Sequence, residues 1–163
     1  MAIKKDKKKS ILEKLDKIFK EAKEVAFVNF HGLSVHNATE LRKHLKGSKV
    51  GYFVAKKTLI RKAFEGKKVE GEIPNLLGEI GVAWSSEVTV PSREVYTFGK
   101  KLDQGIKLVG GVFDGKFMDE AGMTSIAMIP GRKTLEAQFV NLINSPIQRF
   151  VVSLDQIAKK KTS

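Results

Sequence analysis

The sequence has no cysteine, which removes disulfide staples, thiolate metal sites and cysteine nucleophiles together. It also lacks any uninterrupted apolar run near the roughly 20 residues that cross a bilayer. The lysine-rich start, residues 1–10, passes into an amphipathic pattern with charges throughout rather than into the apolar region of a signal peptide. A soluble cytoplasmic protein with no membrane partner is expected. No repeat of solenoid period is present. Gly105, Gly110, Gly111 and Gly115 match no phosphate-binding loop and read as strand and turn breaks. The only histidines, His31, His36 and His44, come with no arrangement of acidic partners that would hold a metal, and read as surface residues. Asp114, Asp119 and Glu120 read as solvated or capping groups and Trp84 as core. Neither an enzyme, a cofactor nor a metal is indicated.

What is present is a core and an uneven charge. Hydrophobic residues make up 42% of the 163, enough for a folded domain plus an appendage. The net charge is +12. Residues 1–68 hold 19 Lys/Arg against 7 Asp/Glu, whereas residues 69–163 hold 11 of each, so all the excess lies in the first half. A polyanion-facing surface is expected there.

Along the chain, Ser10 to Glu13 has the form of a capping box, followed by a helical stripe of Ile11, Leu15, Ile18, Phe19 and Ala22. Val25 to Phe30 reads as a buried strand broken by His31-Gly32. Ser34 is placed to cap a second helix with Val35, Ala38, Leu41 and Leu45 inward, ending at Gly47. Val50 to Ala55 reads as a strand, and Thr58 as the cap of a third helix through Leu59, Ile60, Ala63 and Phe64, stopped by Gly66. A short helix is expected near Pro74, a strand from Ile80 to Trp84, and a helix opened by Pro91 using Val95, Phe98 and Leu102. Ile106 to Val109 and Val112 to Phe117 look like strands, with Asp114-Gly115 as a turn signal. The alternation predicts an α/β fold, a mixed sheet flanked by helices. Pro130-Gly131 separates this domain, residues 1–130, from a helical extension, residues 131–163.

Three basic groups stand out in the first half: Lys4, Lys5, Lys7, Lys8 and Lys9 in the tail; Arg42, Lys43 and Lys46 on the second helix; and Lys56, Lys57, Arg61 and Lys62 around the start of the third. Any one lysine on a helix face is ordinarily solvated. Three groups together, beside a neutral second half, favour RNA binding. At the last group a helix start adds free N–H groups and positive potential, and Lys57 and Arg61 are one turn apart. The loop His31-Gly32-Leu33-Ser34 follows the other strand and lies beside this turn if the two strands are neighbours. Phe27, Phe30, Tyr52 and Phe53 fall in strand patterns and read as core rather than as stacking platforms.

Val140, Ile143, Ile147, Phe150, Leu154 and Ile157 follow a three–four spacing, widened by Val151 and Ala158. Ser145-Pro146 reads as a restart or kink. Periodicity leaves open whether this helix packs on its own domain or projects; a projecting strip needs a partner helix. A membrane-surface role is disfavoured because the polar face carries Ser, Gln and Asp rather than continuous basic residues.

Phe30 to Val35, Glu40-Leu41-Arg42, Val54 to Ile60, Ala63, Gly78, Ile129 to Arg132, Leu135, Pro146-Ile147, Phe150-Val151 and Leu154 together resemble the bacterial ribosomal stalk-base family, number ten of the large subunit. The resemblance covers nearly the whole chain in order. It implies an N-terminal domain bound to large-subunit ribosomal RNA, with Lys56, Lys57, Thr58, Arg61, the His31 to Ser34 loop and the basic tail facing the RNA. It implies that the last helix holds dimers of the acidic stalk protein, which serve translational GTPases indirectly, beside a neighbouring stalk-base ribosomal protein. Some members repeat the Phe-Val-x-x-Leu block; this chain has one, which implies fewer dimers. Lys57 stands where many members have asparagine. The alternative reading is an RNA-binding translational regulator or a ribosome-assembly paralogue.

Overall fold

The computed structural model describes residues 5–65, 67, 69–71, 73–76, 78–101 and 105–162. Lys4, the helix stop at Gly66 and Leu102 lie outside the described residues. The first unit contains α1 (Lys5–Glu21), β1 (Glu24–Asn29), α2 (Val35–Gly47), β2 (Gly51–Val54), α3 (Lys57–Glu65), β3 (Ile80–Ser85), α4 (Val90–Lys101), β4 (Lys107–Phe113), β5 (Lys116–Asp119) and α5 (Glu120–Ala127). The strands form one sheet in the order β2-β3-β1-β4-β5. β3 is inserted between β1 and β2, and β1 between β3 and β4, so two split βαβ crossovers interlock in a ferredoxin-like arrangement. β5 is added by a hairpin.

The fold class is α/β, as the alternation of elements predicts, but the sheet is not mixed. All four named strand pairings are antiparallel, and the parallel pairing described is an isolated bridge, Glu70 to Lys116. An intercalated strand turns each expected parallel pair into two antiparallel ones, and strand periodicity does not register that insertion.

Both faces of the sheet are covered, so successive residues of β1 are buried in opposite directions. Ala26 and Val28 join Leu41, Leu45, Val95, Leu108 and Met123 beneath α2, α4 and α5. Val25 and Phe27 join Leu15, Leu59, Ile60 and Phe64 beneath α1 and α3. The second core is knitted by rings: Phe64 stacks on Phe19 at 4.2 Å between centroids and meets Phe27 edge-on at 5.8 Å. The β4–β5 turn has Asp114 at φ 49° and Gly115 at φ 76°, the two-residue hairpin geometry that Asp-Gly favours. β4 runs from Lys107 to Phe113 with a bulge at Val109 opposite β1, where two shorter strands are expected.

Several local expectations are corrected. Ser10 lies inside α1, which already starts at Lys5, so it is no cap. Ser34 does cap α2, accepting from the Asn37 amide at 3.2 Å, but Val35 faces solvent at 85% exposure rather than the core. Thr58 lies within α3; the Lys56 carbonyl accepts the Leu59 and Ile60 amides instead. Residues 73–76 form no helix. His44 is no surface residue: it is partly buried between α2 and α4, tilted against Phe98 and 3.6 Å from a Glu94 carboxylate oxygen.

The chain divides into two compact units at the Ile129–Pro130 junction. The second is dominated by one helix, α6 (Arg132–Thr162), which runs through Pro146. Ser145 therefore does not restart a helix.

Candidate nucleic-acid interface

Lys7, Lys8 and Lys9 occupy the first turns of α1 rather than a tail, and all three are exposed. The backbone of Lys5 opens that helix. Arg42, Lys43 and Lys46 are exposed on α2, and Lys56, Lys57, Thr58, Arg61 and Lys62 are exposed at and after the β2–α3 turn. None of the basic candidates from Lys7 to Lys62 is joined to a carboxylate by an ion pair among the described residues. Their potential is uncompensated at short range, which is what attracts a polyanion.

The groups are not all on one surface. α2 lies on one face of the sheet and α1 with α3 on the other. Two of the three groups meet at the edge strand β2: α2 packs on it and α3 follows from it. Arg42 is close enough to Tyr52 of β2 for its charge to act on the phenol, although burial dominates and pushes Tyr52 up to about 12.

The His31 loop and the Lys56 turn emerge at the same end of the sheet, but their strands are not neighbours, because β3 runs between them. His31, Gly32 and Ser34 are exposed. The His31 amide donates to Asn29 Oδ1 at 3.0 Å, which fixes the start of the loop. Beside the turn lies an open cleft of about 740 Å³ whose lining includes Ile11, Phe30, Val54, Lys56, Lys57 and Thr58. Phe30 is only half-buried and, among the described residues, belongs to neither hydrophobic cluster. Its assignment to the core was wrong. The strand pattern runs one residue past the end of β1, and Phe30 sits at that overrun.

In α6 the apolar candidates Val140, Ile143, Ile147, Phe150, Val151, Leu154 and Ile157 are all exposed, Phe150 at 64%, and so is Ala158. At 100° per residue they fall within one broad stripe. The stripe also takes in Phe139 and is flanked on one side by Leu135 and Leu142, all likewise exposed, which the three–four reading left out. Counting onward from Val140 hid them, although Leu135 and Phe139 lead into Ile143 at four-residue steps.

Residues 3–100 match the family described as Ribosomal protein L10. The chain belongs to the ribosomal protein L10 family. Similar proteins named large ribosomal subunit protein uL10 occur in Alkaliphilus metalliredigens, 31% identical over 95% of this chain and 93% of the relative, and in Finegoldia magna, 30% identical over 96% and 87%. That of Bacillus licheniformis is 29% identical over 94% and 93%. Membership of the L10 family makes the chain a structural, non-enzymatic, ribosome-bound protein of the cytoplasm. The family match takes in every basic candidate, while α6 lies beyond it; the similarity to the L10 relatives spans 94–95% of the chain and so includes most of α6.

Proposed function

We propose that the first unit of this L10 protein binds large-subunit ribosomal RNA and that α6 anchors dimers of the acidic stalk protein. It would thereby form the stalk base beside a neighbouring ribosomal protein and support the recruitment of translational GTPases. The RNA reading rests on one observation: the basic candidates around β2 are exposed and free of ion-pair partners among the described residues. Each phosphate they neutralise steepens the log–log salt dependence of binding by about 0.9 for duplex RNA or DNA. The docking reading rests on a broad apolar stripe exposed along a single helix, the form an amphipathic helix takes before it enters a partner's groove.

The test is copurification with acidic stalk protein and ribosomal RNA for the full chain, a chain ending at Asn144 and a chain ending at Pro130. The expected result is a graded loss of stalk protein with RNA retained by all three. Retention of stalk protein by the shortest chain would remove α6 from the interface.

A further inference from the structure

The cleft beside the Lys56 turn is more than a charged surface. Ile11, Phe30, Val54 and Ile80 give it apolar walls, and Val54 is 41% exposed although it ends a strand. Phe30, an aromatic residue on the same lining, is half-buried and joins neither core among the described residues. Lys56, Lys57 and Thr58 stand on the same lining, and so does Glu79. A phosphate-only surface has no use for an apolar recess, and a recess for an apolar peptide has no use for a lysine rim without a carboxylate opposite each lysine. An apolar slot with an aromatic wall and a cationic rim fits a molecule that is flat and apolar at one end and anionic at the other.

We infer that this cleft receives a single unpaired nucleotide of the bound RNA, its base stacked on Phe30 and its phosphate beside Lys56 and Lys57. This inference rests on the RNA-binding reading above. Stacking on an aromatic side chain tolerates any base, because every base has a π-face. Glu79 adds an acceptor on the lining, which suits a base bearing an exocyclic amine. The cleft thus supplies recognition of an extruded base, while the exposed lysines around β2 supply the charge.

The experiment uses the full chain and large-subunit ribosomal RNA, with a fully paired RNA duplex as the second probe. Phe30→Leu should weaken binding to ribosomal RNA roughly tenfold, leave the salt slope unchanged because no charge is lost, and leave duplex binding unchanged. Phe30→Tyr should restore the affinity. Phe30→Trp, placed in a Trp84→Phe background, should show emission quenched by ribosomal RNA and not by the duplex. Wild-type affinity in Phe30→Leu, or equal quenching by the duplex, would overturn the base slot while leaving RNA binding intact. Failure of the wild-type chain to bind either probe would overturn both readings.

Discussion

Glu24, the first residue of β1, accepts a hydrogen bond from the hydroxyl of Ser92 in the first turn of α4, 68 residues further along the chain. Its second carboxylate oxygen accepts the amide of Thr89. A side chain on the central strand thus caps the helix that packs over it. Thr89 itself sits at φ 71°, a conformation uncommon for a β-branched residue, and the carboxylate pins its amide. Glu24 is fully buried. Burial raises its pKa above 4.5, opposed by the bonds from Ser92 and Thr89 and by the charge of Arg93.

A raised carboxylate pKa means that the folded state holds the proton more tightly than the unfolded chain does. The stability this contributes is fully present below about pH 4.5 and is lost as pH rises through the folded value. Glu24→Gln cannot titrate but retains an acceptor and a donor for the same partners. Urea denaturation from pH 4 to pH 7 should therefore show the stability of the variant rising relative to wild type as pH increases. A constant difference across that range would mean that Glu24 does not carry the linkage. Glu24→Ala should cost about 1–3 kcal/mol at pH 4, since it leaves the Thr89 amide and the Ser92 hydroxyl unsatisfied, and the cost should shrink towards pH 7 as wild type loses the linked stability.

The Glu24–Ser92 pair also marks the limit of what the sequence makes legible. The helical stripe of α1, the Ser34 cap and the Asp114-Gly115 turn are local, so each can be read from neighbouring residues. Glu24 looks like one more surface acid until β1 is placed under α4. The antiparallel sheet follows from which strand slides between which, a long-range choice that alternating apolar residues do not encode. Thr58 failed as a cap because a threonine one residue inside a helix start looks the same in sequence as one at the cap. Val35 failed because a helix's first residue can continue the apolar spacing while overhanging the core. In the candidate interface, exposure of the lysines was legible from charge placement, but the cleft was not, since α1, β2, α3, β3 and the residue that follows β1 all contribute to its walls.

Replacing Lys56, Lys57 and Arg61 with Ala should weaken binding to ribosomal RNA and flatten its salt dependence by up to about 3 in log–log slope. All three side chains are exposed, so the unfolding free energy should stay within about 0.5 kcal/mol of wild type. Titrations between 50 and 200 mM salt supply the slope. An unchanged slope with weaker binding would point to a different surface.

Gly51 opens β2 directly against the indole of Trp84, its partner across the β2–β3 ladder. A Cβ at Gly51 would lie 2.3 Å from Trp84 Cε2, so the ring must move. Gly51→Ala should destabilise the first unit by about 1–3 kcal/mol through overpacking and shift the emission of Trp84, the single tryptophan. Because β2 leads straight into the Lys56 turn, RNA affinity should fall as well. Unaltered emission and stability would show that β2 is not held in this register.

Phe150 and Leu154 stand one turn apart on α6, at 64% and 50% exposure. Side chains that exposed add little to the fold, so Phe150→Asp with Leu154→Asp should leave the unfolding midpoint of the first unit in place. Their cost should fall on association instead, where each aspartate would be driven into an apolar groove without a partner. Capture of acidic stalk protein should drop at least a hundredfold while RNA binding stays constant. Phe139→Asp tests the stripe beyond the expected block: a comparable loss would extend the docking surface towards the start of α6, and no loss would confine it to the region around Phe150.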